Sequence, residues 1–277
     1  MKAVLTFVLF SFFSQFLFSQ EILLRFQPGK GENFVYSLLS EGTMTQSVMG
    51  MEQVVNSKTE VRYSYFIQNV SKDGEVEILI SVDTIKTNVK SQNPPLDTTF
   101  VIPSGFKFKQ VLNKFGKGIS FEILEMKELP LPGGADRRID RRSYLHNIVF
   151  PEGKIKPGDS WDFSSIDTTS GREGTTVVKT KGKYTYDGVE TVNQIKCARL
   201  KLDANFSISG QGTIQGMNYG LEGEGKIVGA HWVDLETGLV VRSDTNTEIE
   251  MAIGITGQYE MTMPMSQKMK TVVNLIR

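Results

Sequence analysis

The stretch "ARLKLDANFSI", Ala198 to Ile208, decides the fold. Apolar side chains stand at Ala198, Leu200, Leu202, Ala204, Phe206 and Ile208. Arg199, Lys201, Asp203, Asn205 and Ser207 fill the places between. Successive side chains of a strand point to opposite faces, so unbroken alternation predicts a long strand with one buried face. A helix repeats every 3.6 residues and cannot present that pattern.

The same period runs outward from this stretch. "TEIEMAIGI" carries Ile249, Met251, Ile253 and Ile255, and "EVEILISV" carries Val76, Ile78, Ile80 and Val82. "FKFKQVLNKF" and "SFEIL" flank Gly116-Lys117-Gly118 and read as a hairpin. "HWVDLETGLVVRS" reads as another, turning at Glu236-Thr237-Gly238. Glycines are spaced through "GQGTIQGMNYGLEGEGKIVG", Gly210 to Gly229. Glycine permits sharp bends in a strand, so these predict strongly curled strands, as in a barrel or half-barrel.

One segment breaks the period. In "GADRRIDRRSYLHNIVF", Gly134 to Phe150, Ile139, Leu145 and Ile148 fall at helical spacing, and Asp136 is placed to cap. A short helix over 136–147 is expected, with "LPLPGG" and "FPEGKIKPGD" as breakers on either side. The halves that it separates share features. "PGKGENFVY" from Pro28 resembles "PGDSWDFSS" from Pro157, and "YSY" at Tyr63–Tyr65 matches "YTY" at Tyr184–Tyr186. The expected fold class is therefore all-β and mainly antiparallel. It would be a curved sheet or incomplete barrel built from two similar meanders, with a short helix between them. The division follows: residues 1–20 a signal peptide and 21–277 one β domain. Its first meander covers about 28–127, the connecting helix region 128–150 and the second meander about 151–277.

Compartment is read from the N-terminus. Lys2 is followed by "AVLTFVLFSFFSQFLFS", with no charge until Glu21. One basic residue and a short apolar core read as a secretory signal peptide, with cleavage near Ser19 or Gln20. The run is short and interrupted for a stable membrane span. A secreted or periplasmic chain without an integral membrane span after cleavage is expected. Its one cysteine, Cys197, cannot form an internal disulfide and reads as a small packed side chain.

Charge excludes some partners. Lys plus Arg and Asp plus Glu each number 31. Such balance does not steer a chain to nucleic acid or to an anionic membrane surface. The basic cluster "DRRIDRR", Asp136 to Arg142, is interrupted by aspartates and reads as a solvated face.

Catalytic chemistry finds little support. The two histidines, His146 and His231, stand apart in sequence from any nucleophile or metal-binding pattern. Glu248 and Glu250 alternate with Ile249 and Met251, so they belong to a solvated face. No enzyme, catalytic residue, cofactor or metal site is assigned. In "KPGDSWD", Lys156 to Asp162, Pro157-Gly158 suits the centre of a type II turn. Asp159 or Ser160 can bond its amides. Trp161 then enters the strand, as a core plug or at a ligand mouth.

The methionines are the remaining feature. "YEMTMPMSQKMK", Tyr259 to Lys270, sets Met261, Met263 and Met265 two residues apart, in phase with Ile253, Ile255 and Tyr259. Same-face residues two apart lie about 6.8 Å from one another. Long flexible thioethers there make an ordinary core, an adaptable wall facing a ligand, or a soft Cu(I) site. A second group, Met44, Met49 and Met51, is out of phase within itself.

The leader, "FQPGKGENFVY", the methionine-rich strands and Phe150-Pro151 before Lys156-Pro157-Gly158-Asp159-Ser160-Trp161 together resemble a known pattern. The chain is similar to an uncharacterised family of secreted, β-rich bacterial proteins of the Bacteroidetes type. That resemblance implies no activity and transfers no catalytic residue. In architecture alone, curled antiparallel strands with a helical insertion resemble periplasmic lipoprotein-carrier half-barrels. The expectation is a non-enzymatic binding protein for a hydrophobic or lipidic small molecule. Ile253, Ile255, Tyr259, Met261, Met263 and Trp161 would face the ligand. The alternatives are a structural envelope protein with a filled core that recruits an envelope protein partner, and methionine-based copper binding.

Overall fold

Consecutive residues Phe26 and Gln27 show how the sheet is bent. The Phe26 amide donates to the Lys114 carbonyl (2.9 Å) and the Gln27 amide to the Thr237 carbonyl (2.9 Å). Lys114 follows the fourth strand, and Thr237 sits in the turn between the ninth and tenth. These strands stand at least five places apart in one sheet, roughly 24 Å if the sheet were flat. Neighbouring residues can bridge them only because the sheet curls.

The computed structural model describes residues 21–48, 50–125, 148–171, 174–214, 216–257 and 260–276. The strands are β1 (Asn33–Val48), β2 (Met51–Val70), β3 (Val76–Gln92), β4 (Pro95–Leu112), β5 (Gly118–Glu125) and β6 (Ser160–Gly171). They continue as β7 (Gly174–Val192), β8 (Ile195–Ile214), β9 (Met217–Asp234), β10 (Val240–Thr256) and β11 (Met261–Ile276). All lie in one antiparallel sheet, ordered β5-β4-β3-β2-β1-β11-β10-β9-β8-β7-β6. The edge strands β5 and β6 do not pair with each other, so the sheet stays open. The all-β, curved, incomplete-barrel expectation holds. The expected helix over 136–147 lies outside the described residues, as does the apolar run over 1–20.

The two meanders run in the same sense, β1 to β5 and β6 to β10, with β11 inserted between β1 and β10. Their entrances match in detail. The Gly31 amide donates to the Ile67 carbonyl and the Ile67 amide to that of Glu32 (both 2.9 Å). Likewise the Gly158 amide donates to the Tyr186 carbonyl (2.8 Å) and the Tyr186 amide to that of Asp159 (2.9 Å). Gly158 has φ +95° and the Asp159 carboxylate accepts from the Lys156 amide (2.9 Å), as the turn chemistry predicts.

One face of the sheet, here the inner face, carries the core at the end where the chain segments 22–26 and 148–155 pack. Fully buried Ile67, Ile78, Ile80, Phe108 and Leu112 from the first meander join Tyr186, Ala198 and Leu200 from the second. Leu24, Phe26, Ile148 and Phe150 form the second layer. An antiparallel bridge between Ile22 and Ile155 ties the two segments together. Strand register slips at Arg62/Tyr63, Val82/Thr84, Lys107/Phe108, Tyr186/Gly188 and Val240/Arg242, all at this proximal end. Bulges bend strands and increase twist, so the curl is generated there.

The glycines of 210–229 do something else. β8 and β9 pair without a register shift through this whole region. A Cβ on Gly225 would strike the Phe206 ring, and one on Gly223 would meet Met251. These glycines clear room for large side chains that lie across the strand.

Candidate functional site

Beyond the core the strands keep going. From Ser40, Thr59 and Thr87 outward, the sheet extends as a distal half, roughly 30 Å long at the β10–β11 pair. Among the described residues no second layer packs on it. Its side chains alternate between half-buried and exposed, and Val178, Ala204 and Thr247 are its buried exceptions.

Register places the candidate residues. Ile255 stands opposite Met261, Ile253 opposite Met263 and Met251 opposite Met265. All share the inner face, in line with Ile249, Met269 and, through β9, Leu221 and Tyr219. The phase relation read from the sequence is therefore met for Ile253, Ile255, Met261 and Met263. Tyr259 lies outside the described residues. The two methionine groups do meet. Met44 pairs with Gln267, which sets it diagonal to Met265 and Met269 on the inner face. Met51 pairs with Val48 and so shares the inner face, at the exposed distal tip of the β1–β2 hairpin.

Trp161 is elsewhere. Its indole N–H donates to the Val149 carbonyl (2.8 Å), and its ring lies 5.7 Å from that of Tyr184. Both partners belong to the proximal core end. It packs the edge strand to the core and does not join the methionine wall.

A feature unread from the sequence separates core from wall. Thr87, Thr59, Ser40, Thr271 and Thr245 stand side by side on the inner faces of β3, β2, β1, β11 and β10. Thr59 and Thr87 hydroxyls are 3.1 Å apart and those of Ser40 and Thr271 3.2 Å. Each is unremarkable in its own strand, and register alone shows the belt. Outward of it, from β4 to β7, the described inner face carries no charged side chain. The face is uncharged and mixed: Phe100, Val55, Met44, Met265, Ile253, Leu221 and Ile208 lie among Ser57, Gln267 and the hydrogen-bonded pair Gln46 and Gln53 (2.7 Å). Asp167 on the β6 edge is the nearest inner-facing carboxylate in register.

The outer face is polar. An open groove of about 830 Å³ there is lined by Glu52, Glu222, Glu224 and Glu250 with Ser207, Ser209 and Ser266. Glu248 and Glu250 are both exposed, as alternation predicts, and Glu248 reaches Lys268 at 3.5 Å.

Titration behaviour marks the core, not the wall. His231 faces inward beside the Tyr184 ring, 5.9 Å away, and its Nδ1 is closed off without a hydrogen-bond partner. Burial pulls its pKa down to about 4. Burial also pushes the Cys197 thiol up to about 11, and the thiol donates to the Ile195 carbonyl at 3.5 Å. Both groups are held neutral near pH 7. Among the described residues, no group of three or more His, Cys, Asp or Glu side chains is placed to hold a metal ion. No described helix is long and apolar enough to cross a membrane.

No protein-family model matches the chain, and no curated protein matches it. Several solved structures are similar over most of its length. An outer membrane channel from Pseudomonas putida F1 shares 9% identity over 91% of this chain and 98% of its own, with a TM-score of 0.33. OccK5 (OpdH) from Pseudomonas aeruginosa shares 6% over 90% and 99%, at 0.30. A DUF1329 family protein from Desulfovibrio piger shares 12% over 86% and 85%, at 0.16. At these scores neither fold nor function passes from them to this chain.

Proposed function

We propose that the chain is a non-enzymatic binding protein of the bacterial cell envelope that holds a lipidic molecule against the inner face of its distal sheet. One observation carries this reading: a long face, free of charge from β4 to β7 and rich in methionine and isoleucine on β10 and β11, continues the core side of the sheet without a covering layer among the described residues. Half-exposed apolar side chains gathered on one uncovered face are of the kind that marks an interaction site. The thioethers of Met44, Met251, Met261, Met263, Met265 and Met269 suit it to chains of varied shape. The hydroxyl belt at its base offers hydrogen bonds to the polar end of an amphipathic ligand, so a few polar groups would orient an otherwise apolar guest. The N-terminal apolar run and the resemblance to secreted bacterial β proteins support the compartment.

Native mass spectrometry tests this on the chain secreted by its host and purified without detergent. An adduct of several hundred daltons, extractable into organic solvent and lost in Ile253→Asp, is the expected result. An adduct of copper mass, lost when Met261, Met263 and Met265 become leucine, would replace the lipid reading with the metal one. A bare chain that also fails to take up a fluorescent fatty acid would overturn both and leave a structural envelope protein.

A further inference from the structure

Most of the outer-face lysines that line the sheet's ladders are neutralised. Lys90 reaches Asp97 (3.1 Å), Lys107 reaches Glu125 (2.9 Å), Lys109 reaches Glu122 (2.9 Å) and Lys226 reaches Asp203 (3.1 Å). Strand β7 is different. Lys179, Lys181 and Lys183 follow one another on its outer face, all exposed, and among the described residues none has a carboxylate within 4.0 Å. The row spans roughly 14 Å.

The surroundings leave it unbalanced. Of the carboxylates of this quarter, Asp162 and Asp203 stand opposite Lys183 in register, though beyond 4.0 Å, and Asp187 and Glu190 lie farther toward the proximal end, so the imbalance is sharpest at Lys179 and Lys181. Asp187 is taken by Arg199 and Lys201, both at 2.6 Å, and Asp203 by Lys226. Opposite Lys179 and Lys181 stand Ile166 and Ser164 on β6, then Ser207 and Asn205 on β8. Ile166 is 70% exposed, the most open of the large apolar side chains, and sits on the sheet's edge strand. Beyond its β-branched preference for the strand, an isoleucine so open to water gains most if an apolar phase meets it.

We propose that the β6–β7 margin docks on an anionic lipid bilayer, with Lys179, Lys181 and Lys183 against the phosphate headgroups and Ile166 entering between them. Juxtaposed lysines gain from the negative surface potential, and an apolar side chain gains by leaving water at the interface. A soluble polyanion would satisfy the lysines but not the isoleucine, which is why the bilayer is favoured. The inference stands whether or not the inner face holds a lipid. If it does, the margin is where cargo would be exchanged.

Co-sedimentation with vesicles tests it, using phosphatidylcholine mixed with rising fractions of phosphatidylglycerol. Binding should climb with phosphatidylglycerol and fall with salt. Lys179→Gln/Lys181→Gln/Lys183→Gln should weaken it about 100-fold, near fivefold for each lysine. Ile166→Ser should weaken it about tenfold. Lys58→Gln/Lys90→Gln/Lys268→Gln, the same charge change elsewhere on the outer face, should leave it unchanged. Equal losses in both triple variants, or binding indifferent to phosphatidylglycerol, would overturn the proposal. Binding to heparin but not to vesicles, unaffected by Ile166→Ser, would also overturn it in favour of a soluble polyanion. Native mass spectra of the β7 variant separate the two readings, because a ligand on the inner face should survive the loss of the lysines.

Discussion

The proximal and distal halves of the sheet are written in the same pattern and meet different fates. Ile78 and Ile80 occupy every second place of their strand just as Ile253 and Ile255 do. The first pair is fully buried and the second half-exposed. The difference is not in the strands. It is the second layer, Leu24 and Phe26 from one segment and Ile148 and Phe150 from another, which reaches only the proximal end. Alternation thus states that one face will be apolar. It does not state whether protein will cover it. Strand bulges follow the same division, because a sheet must curl to wrap a plug and needs less curl where no described residue is wrapped.

The largest contrast should come from truncating one side chain in each half. Phe108→Ala, fully buried, should cost about 3–5 kcal/mol in denaturant unfolding. Met263→Ala, half-exposed, should cost about 1 kcal/mol or less. Equal losses would mean that the distal face is covered after all.

Acid should attack the proximal half through His231. Its folded pKa of about 4 lies below the ordinary value of 6.5, so the folded state favours the neutral ring. That contribution is complete above about pH 6.5 and is lost as pH falls toward 4, by about 3 kcal/mol. His231→Leu should flatten the stability profile across this window. An unchanged slope would show that His231 does not titrate there.

Two glycines give a finer test. Gly238 sits at φ +74°, and a Cβ there would run into the Arg25 carbonyl. Gly238→Ala should destabilise by about 1–3 kcal/mol. Gly220, in the distal half, has open space around its missing Cβ, and Gly220→Ala should be near neutral in thermal melts. A modest effect on stability, below about 1.5 kcal/mol per site, is expected from Met261→Leu/Met263→Leu/Met265→Leu. Retention of an organic adduct in that variant would sharpen the wall reading, since leucine remains apolar while losing the thioether.

Much of this was legible along the chain. Strand phases at 76–82, 198–208 and 249–255, the hairpins at Gly116–Gly118 and Glu236–Gly238, and the Gly158 turn all rest on local rules of sterics and side-chain direction. The glycines of Gly223 and Gly225 were open to misreading as bends, because what they accommodate is Phe206 and Met251 on neighbouring strands. Trp161 was legible as a strand-entry aromatic, but its partner is the Val149 carbonyl, twelve residues before it.

By itself the sequence determined an all-β chain with two similar meanders, one apolar face and methionines in phase with Ile253 and Ile255. Those are properties of single strands, set by the period of two. The tertiary structure alone decided that β11 slots between the meanders and that Met44 meets Met265. It also decided that the Ser40–Thr59–Thr87–Thr271–Thr245 hydroxyls form a belt, and that Lys179 and Lys181 on β7 have no carboxylate opposite them among the described residues. Each of these depends on which residues of separate strands lie opposite one another. Register is fixed by turns, bulges and core packing together, and no one strand contains it.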